Sequence, residues 1–395
     1  MSTTVTCTTL PVEQNSSLET VTCTVLPVDQ NSSLEIKAES EWLDHVALCF
    51  AAKGTPRSYF EQQLRRETKH LILVARHATT IVSTVRIFHR VVIGDNGQHL
   101  RVGGIGAVCT LPEFRGQGIS TLLLSFACQV LLRKQHMFDV SLLHAAPQFH
   151  SFYSARGWCR SLSDVEMMEI KIVPEMELER EWEDEGEEEE EDHRCVRVRV
   201  RALHPSDIPL VQRIYNEYVQ RNRLCGCDIR TEERWSSLAH DFQSQMFVAS
   251  VSSSGLEDGA VVAYCCLSCT TRRKGDEMKE KCWMLSDFCM DESMERDRGT
   301  GKKIVRVLVT HALGASEEME GKKDPCSVQM PLCIGEWFVE EEEEEEEEEE
   351  QEGSKDQGRR ITKDSGWLYF ALDGKEKNPF GESARRCTRW KLDSF

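Results

Sequence analysis

Apolar and polar positions in residues 40–172 follow two different periods, which predicts helices followed by strands. Apolar residues recur at the helical spacing in Glu41–Ala51 and Ser58–Glu67, as expected for two short amphipathic helices. Leu71–Ala75 and Ile81–Ile93 are rich in Val and Ile, which is typical of strands. The first part of the chain is therefore predicted to mix both kinds of element.

A strand, a loop and a helix follow over Ile105–Leu132. Ile105–Thr110 is an apolar run of strand character, and Ile119 begins an apolar helix. Between them, Arg115-Gly-Gln-Gly118 lacks bulky side chains, so a phosphate can approach the main chain closely. The helix N-terminus adds free N–H groups and a positive potential. This order of elements predicts a binding site for a pyrophosphate group.

A Rossmann nucleotide loop is the alternative interpretation of this element. The glycine spacing does not match G-x-G-x-x-G, and no acidic ribose ligand follows a second strand at the expected distance. A strand, turn and helix without any ligand is the remaining alternative.

The elements after the loop appear twice along the chain. In the first half, Val140–His144 is a short apolar strand, and Pro147–Tyr153 begins a helix that Gly157 ends. The second half is predicted to contain a strand at Val196–Arg201, a helix at Pro205–Asn222, and strands at Ala260–Cys269 and Cys282–Cys289.

A second copy of the glycine loop follows these elements. Arg298-Gly-Thr-Gly301 repeats the pattern of Arg115-Gly-Gln-Gly118, but Lys303 occupies the position where a small residue is needed. A long side chain there would crowd a ligand. The second copy is therefore interpreted as degenerate and structural.

Net charge is concentrated in two acidic runs. The 395 residues carry a formal charge of -19, and the runs at residues 175–192 and 340–352 together account for about -24. The remainder is mildly basic, so the acidity says little about the folded part. Such runs are typically solvated and disordered, which predicts an acidic linker at 173–194 and an acidic insertion at about 340–358.

An imperfect tandem repeat occupies the N-terminal region. Thr4–Glu19 is repeated as Thr20–Glu35, including a Val-Thr-Cys-Thr core and a Gln-Asn-Ser-Ser-Leu-Glu end. Two short copies are too few to stack into a solenoid. Residues 1–39 are therefore predicted to be a disordered leader.

Cysteine usage and hydropathy bear on the compartment. Seventeen cysteines without a signal peptide indicate reduced thiols in the cytoplasm, with the nucleus as the alternative. No apolar stretch reaches the roughly 18 to 20 residues of a membrane helix. Cys225-Gly-Cys227 and Cys265-Cys266-x-x-Cys269 lack the paired C-x-x-C spacing of zinc knuckles, so buried free thiols and no metal are predicted.

The loop motif resembles that of a known enzyme family. Arg115-x-x-Gly118-x-Ser120, preceded by Val108-x-Thr110-x-Pro112, resembles the acetyl-CoA motif R/Q-x-x-G-x-G/A of the GNAT N-acetyltransferases, with Ser120 in place of Gly or Ala. The resemblance implies that acetyl-CoA is the donor substrate. The implied cofactor contacts are Val108, Cys109 and Thr110 for the thioester and pantetheine, and Arg115, Gly116, Gln117, Gly118, Ile119 and Ser120 for the pyrophosphate.

The same resemblance implies a general acid. Phe152-Tyr153-Ser-Ala-Arg-Gly157-Trp158 matches the Tyr-x-x-x-Gly-aromatic signature of the family. A phenol, with a reference pKa of about 10, can protonate a departing thiolate and stay protonated at neutral pH. Tyr153 is therefore the candidate acid, and a core tyrosine with a satisfied hydroxyl is the alternative.

The candidate base is His144, which ends a strand whose C-terminal end should open at the cleft. Imidazole is suitably tuned to accept an amine proton. Glu113 and His150 remain alternatives. So does the terminal carboxylate of Phe395, because the enhanced-intracellular-survival (Eis) acetyltransferases are held to use theirs.

Tandem modules with an intact first motif resemble that Eis type over about residues 40–320. The resemblance implies two tandem GNAT modules of α/β (α+β) class, each a mixed, mostly antiparallel sheet flanked by helices. The predicted domains are 40–172, catalytic, and 195–395, degenerate. A C-terminal sterol-carrier-like domain is not evident. Trp337, Trp367–Leu372 and Trp390 are expected to complete the second module's sheet instead.

The predicted function is acetyl transfer from acetyl-CoA to a primary amine by direct attack in a ternary complex. An acyl-cysteine route through Cys109 is the alternative mechanism, although a buried thiol in an apolar strand is favoured. The alternative function is a non-catalytic acetyl-CoA sensor or scaffold whose acidic runs recruit basic partners. Neither nucleic acid nor membrane is predicted as a partner. The acceptor, a small molecule or a protein amine, and the oligomeric state stay open.

Overall fold

The chain folds into two compact units in the computed structural model. One unit comprises Met1–Ser163, Ser365–Arg385 and Ser394–Phe395, and the other Asp164–Asp364 and Arg386–Asp393. The structure describes residues 7–14, 17–26, 33–66, 70–133, 137–160, 165–172, 196–222, 224–241, 245–253, 259–274, 278–318, 326–331, 334, 360–364 and 367–372.

The first unit contains an eight-stranded sheet in the order β1-β2-β3-β4-β5-β6-β15-β7. Its neighbouring strands are antiparallel except for the parallel pair β5 and β6. The strands are β1 (Cys7–Gln14), β2 (Ser17–Leu26), β3 (His70–His77), β4 (Thr80–Ile93), β5 (His99–Thr110), β6 (Val140–His144), β7 (Cys159–Arg160) and β15 (Trp367–Ala371). The helices are α1 (Ser33–Phe50), α2 (Arg57–Arg66), α3 (Ile119–Arg133) and α4 (His150–Ser154).

The second unit contains a seven-stranded sheet in the order β14-β8-β13-β12-β11-β10-β9. Again one neighbouring pair, β12 and β13, is parallel. The strands are β8 (Val165–Ile172), β9 (Val196–Ala202), β10 (Met246–Ser253), β11 (Ala260–Lys274), β12 (Met278–Met290), β13 (Cys326–Pro331) and β14 (Arg360–Asp364). The helices are α5 (Ile208–Arg221), α6 (Glu232–Asp241), α7 (Glu292–Arg296) and α8 (Arg298–Glu318).

The predicted fold class, two mixed and mostly antiparallel sheets flanked by helices, is confirmed. In each unit an antiparallel run ends in a strand, a helix follows, and the next strand returns parallel to the first. Parallel neighbours require such a crossover, because a tight turn cannot join them.

Each sheet includes one strand from the half of the chain that forms most of the other sheet. β15 pairs antiparallel with β6 in the first sheet, and β8 pairs antiparallel with β13 in the second. The expectation that Trp367–Leu372 completes the second sheet is therefore wrong. β8 lies within the predicted 40–172 domain in sequence but pairs in the second sheet. Both parallel strands offer an open edge to an antiparallel partner, so strand composition alone does not decide which edge is filled. Trp337 and Trp390 lie outside the described residues.

The N-terminal repeat is not a disordered leader where the structure describes it. β1 lies in the first copy and pairs antiparallel with β2, which begins at the end of the first copy and continues into the second, and β2 pairs with β3. Val21 and Cys23 are fully buried, while Thr22 between them is exposed. The repeat thus extends an existing sheet by alternation of buried and exposed residues, which requires no stacking of repeat units.

The predicted acidic linker at 173–194 and the acidic insertion at about 340–358 lie outside the described residues. Within the described part of the chain, no helix is both long enough and apolar enough to cross a membrane.

Two apolar layers cover the faces of the first sheet. On one face, α3 packs through residues such as Leu123, Leu124 and Phe126. On the other face, α1 and α2 pack through Trp42, Val46 and Phe60. The fully buried Trp42 donates from Nε1 to Thr84 Oγ1 of β4 over 2.8 Å, which fixes α1 on the sheet. α3 and α1 thus pack on opposite faces of β5, whose end is described next.

Phe370 of β15 contributes to the first unit by packing on Trp158, with ring centroids 5.5 Å apart. We expect Phe370→Ala to lower the free energy of unfolding by about 2 kcal/mol, because the change removes most of a half-buried aromatic contact. Denaturant unfolding of the full chain measures this change. Phe149→Ala is the control, because Phe149 is 46% exposed and its loss should cost less than about 0.5 kcal/mol. Equal effects of the two changes would contradict the assignment of β15 to this unit.

Candidate acyl-CoA site

The parallel pairing between β5 and β6 ends before β5 itself ends. The pairing of β5 with β6 runs from Val102–Val140 to Ile105–Leu143, while β5 continues to Thr110. At the departure, Ala107 has a φ of 48° and the pairing with β4 shifts by one residue. A bulge of this kind bends a strand and re-aims its main chain. The last residues of β5 thus present a main-chain edge that β6 does not occupy.

The loop after β5 has room for a ligand against its main chain. Gly116 and Gly118 have φ values of 78° and 77°, a region that favours glycine. A Cβ atom built on either residue would meet no atom within 4 Å. α3 begins directly afterwards at Ile119, and its first N–H groups have no partner within the helix. Loop and helix together present an open, positively polarised main-chain surface.

Side-chain hydrogen bonds fix this loop to the end of β5. Arg115 donates from Nε to the Thr110 carbonyl over 3.0 Å. The Thr110 hydroxyl lies 2.8 Å from Ser83 Oγ and 2.6 Å from Ser120 Oγ. Ser120, the departure from the family motif, therefore joins the first turn of α3 to β5. Gln117 donates to the Glu113 carbonyl over 3.0 Å.

Tyr153 lies on α4, which Arg156 ties to the start of α3. The guanidinium of Arg156 donates to the Phe152 carbonyl and to Thr121 Oγ1, and its carbon lies 3.9 Å from the Phe152 ring centroid. The Tyr153 hydroxyl makes no hydrogen bond to any described residue. Burial raises the pKa of Tyr153 to about 12, and the charge of Arg156 opposes that shift. The phenol is therefore protonated at neutral pH and has a proton to donate.

The turn after Tyr153 packs against aromatic side chains. Gly157 has a φ of 95°, and a Cβ there would approach the Phe370 ring to 2.8 Å. Trp158 is fully buried and donates from Nε1 to Ser141 Oγ over 3.3 Å, and Ser141 donates to the Gly103 carbonyl over 2.7 Å. These contacts join α4, β5 and β6 into one rigid frame.

The candidate bases lie in different surroundings. His144 is exposed at the C-terminal end of β6, where its main chain pairs with Trp367. His150 Nε2 lies 3.1 Å from the Ala145 carbonyl, which engages it in a local contact. Glu113 is exposed in the turn after β5. Phe395 lies outside the described residues. Among these groups, His144 combines exposure with a position at the C-terminal end of the strand that pairs parallel with β5.

Cys109 is not surrounded by apolar groups alone, as an ordinary buried thiol would be. Its Sγ lies 3.6 Å from His45 Nε2, and Cys49 Sγ lies 3.7 Å from the same nitrogen. Hydrogen bonding to Cys109, together with His45 and the charge of Arg115, lowers the pKa of Cys49 to about 5. Sequence reasoning missed His45 and Cys49, although their i, i+4 spacing places them on one face of α1.

The second copy of the loop has a different structure. Arg298-Gly-Thr-Gly301 lies inside α8, and neither of its glycines has a positive φ. Asp297 accepts from the Thr300 main-chain N–H over 3.2 Å, and this hydrogen bonding lowers the pKa of the Asp297 carboxyl. A carboxylate thus occupies the helix N-terminus where a phosphate would bind. The Cys225, Cys227, Cys265 and Cys266 thiols of this unit are buried, whereas Cys269 is exposed.

Comparisons with known proteins agree with this geometry. Residues 32–160 match the family model of an acetyltransferase (GNAT) domain. No curated protein matches the chain in sequence. Saccharomyces cerevisiae N-myristoyltransferase with bound myristoyl-CoA is 11% identical, with a TM-score of 0.54 over 97% of this chain and 84% of that chain.

Two further solved structures are relevant. A GCN5-related N-acetyltransferase from Anabaena variabilis is 14% identical, with a TM-score of 0.52 over 89% of this chain and 73% of that chain. Eis1 from Mycobacterium abscessus is 10% identical and has a TM-score of 0.40 over 76% of this chain and 64% of that chain, which carries no argument for an Eis-type arrangement.

Identities this low establish a shared fold and nothing finer. The family-model match covers residues 32–160, which include the bulged strand, the open glycine loop and Tyr153. Residues 32–160 therefore match a GNAT acetyltransferase domain in sequence.

Proposed function

We propose that this chain is an N-acetyltransferase that transfers the acetyl group of acetyl-CoA to a primary amine within a ternary complex. The observation that carries the proposal is the continuous path from the departed end of β5 to the N-terminus of α3. A thioester donor needs an extended main-chain partner for its pantetheine arm and an anion site for its pyrophosphate. The end of β5 beyond Ile105 supplies main chain that does not pair with β6 for the pantetheine arm, and the loop with glycines 116 and 118 supplies the anion site for the pyrophosphate.

The donor is held by main chain more than by side chains. Val108, Cys109 and Thr110 offer peptide groups to the thioester and pantetheine. Residues 115–120 surround the pyrophosphate through N–H groups and the dipole of α3. Because hydrogen bonds already fix the loop to β5, little order has to be gained when the donor binds.

Transfer then requires a neutral amine and a protonated leaving group. His144 accepts a proton from the ammonium form of the acceptor. The lone pair of the neutral amine nitrogen then attacks the thioester carbonyl. The tetrahedral intermediate collapses with cleavage of the carbon–sulfur bond, and Tyr153 donates its phenolic proton to the departing thiolate. The nitrogen loses its second proton to solvent as the amide forms, and Tyr153 regains a proton from solvent. The acetyl group has moved from sulfur to nitrogen, and CoA leaves as a thiol.

The assignment of Tyr153 as the acid is tested by removal of its hydroxyl. We expect Tyr153→Phe to lower kcat about 100-fold while KM for acetyl-CoA changes little, because the proton is needed only in the transition state. The measurement is thiol release from acetyl-CoA over a panel of primary amines. The control is Tyr59→Phe, which removes a hydroxyl from an exposed tyrosine on α2 and should leave kcat unchanged.

The pH profile provides a second readout of the same residue. The pKa of Tyr153 is raised, so the proton-bearing form persists up to about pH 12. The wild type should therefore show no loss of kcat through loss of this proton between about pH 7 and pH 10. If the chain binds acetyl-CoA saturably but releases no thiol with any amine, the enzyme proposal is wrong and the sensor alternative is favoured.

The anion site is tested by adding a methyl group at Gly118. Alanine at a positive φ costs about 1–2 kcal/mol wherever it occurs. At Gly118 it should also weaken acetyl-CoA binding at least about tenfold, because the strained loop moves its N–H groups away from the pyrophosphate. Equilibrium binding to the full chain measures the dissociation constant.

Two glycines serve as matched controls. Gly54 has a φ of 73° and no atom within 4 Å of a built Cβ, so Gly54→Ala carries the same strain away from the loop. Gly301→Ala places the methyl group in the second copy, inside α8. Neither control should change the dissociation constant. If Gly118→Ala and Gly54→Ala bind acetyl-CoA equally well, the pyrophosphate does not lie on this loop.

A further inference from the structure

A cluster of three metal-binding side chains lies between α1 and β5, on the face of the sheet opposite α3. It consists of His45, Cys49 and Cys109, and we call it the His-Cys-Cys cluster. His45 and Cys49 lie one helical turn apart on α1, and Cys109 lies close to the end of β5. None of these side chains has a role in the acetyl transfer proposed above, which uses only the main chain of Cys109.

The spacing of the cluster matches a tetrahedral metal site. His45 Nε2 lies 3.7 Å from Cys49 Sγ and 3.6 Å from Cys109 Sγ, and the three ligand atoms all lie within 4.8 Å of one another. In a tetrahedral zinc site, bond lengths of about 2.0–2.1 Å to nitrogen and 2.3 Å to sulfur place nitrogen and sulfur about 3.5 Å apart and two sulfurs about 3.8 Å apart. An ion therefore fits between them with little movement of the side chains.

The surroundings hold the ligands in place. The Nε1 hydrogen bond of Trp42, on the same face of α1, fixes this helix on β4. His45 is 6% exposed, and within the described part of the chain the two sulfurs are the hydrogen-bond contacts of its Nε2. The bulge at Ala107 precedes Cys109 by two residues and sets the direction of this strand end. Both elements are thus ordered before any ion binds.

We propose that the His-Cys-Cys cluster binds one thiophilic divalent ion, with zinc as the reference case, through His45 Nε2, Cys49 Sγ and Cys109 Sγ. Thiolate and imidazole are ligands that zinc prefers over magnesium or calcium. No fourth His, Cys, Asp or Glu of the described residues joins the group. Cys49 and Cys109 are only half-buried, so water or an added thiol can occupy the fourth position.

The experiment is an anaerobic titration of the reduced, chelator-treated full chain with Co²⁺, followed by displacement with Zn²⁺. Cobalt reports geometry directly, because a tetrahedral thiolate site gives strong visible bands and a thiolate-to-metal charge-transfer band in the near ultraviolet. We expect saturation of these bands at one ion per chain, loss of the bands on addition of zinc, and a zinc-dependent rise in Tm.

Matched cysteine variants locate the site. Cys49→Ser and Cys109→Ser should each weaken the cobalt signal at least tenfold, because each removes one of the three ligands. Cys128→Ser and Cys159→Ser change a half-buried and an exposed thiol elsewhere in the same unit and should leave the titration unchanged. Cys49→Ser is nearly isosteric, so the test does not depend on whether a His45 variant folds.

Three results would overturn the proposal. One is a weak visible spectrum typical of octahedral cobalt, and another is an unchanged titration in both Cys49→Ser and Cys109→Ser. The third is a Cys49–Cys109 disulfide in the reduced and chelator-treated protein, found by mass spectrometry of its peptides. Because the readouts are spectroscopic, a failure of the acetyl-transfer proposal would leave this test unaffected.

Discussion

The departure of β5 from β6 after Ile105 is the constraint on which the rest of the first unit depends. Parallel strands normally pair along their shared length, and that pairing would use the main-chain groups that a thioester donor needs. The bulge at Ala107 ends the pairing early and turns the strand towards the loop. α3, α4 and β15 then pack so that this opening is preserved: Arg156 joins α4 to α3, and Phe370 packs beneath the turn at Gly157.

The two halves of the chain show how narrow the requirements of an anion site are. Both have a glycine-containing segment at the start of a helix that precedes the parallel strand. In the first, two glycines with positive φ keep the helix N-terminus open. In the second, the glycines are helical and Asp297 caps the helix with its own carboxylate. The second helix N-terminus thus already has a carboxylate partner within the chain.

Sequence reasoning recovered the features that depend on local pattern. The elements on both sides of the loop follow from their apolar period. Lys303 predicts that the second copy is degenerate, whereas the structure distinguishes this copy by its helical glycines and by Asp297. Sequence reasoning failed where distant segments meet. The destination of β15 depends on an open sheet edge about 220 residues away, and the N-terminal repeat becomes a hairpin because β3 offers it an edge. The sequence shows only the i, i+4 spacing of His45 and Cys49 and does not place Cys109 beside them, because 59 residues separate Cys49 from Cys109.

The central claim is that one acyl-CoA binds per chain, along the end of β5 and the N-terminus of α3. Hydrogen exchange of the full chain with and without acetyl-CoA tests this claim most directly. The account predicts slower exchange of main-chain amides in residues 106–121 and unchanged exchange in residues 297–305. Protection of the second segment, or protection of neither segment at saturating acetyl-CoA, would contradict it.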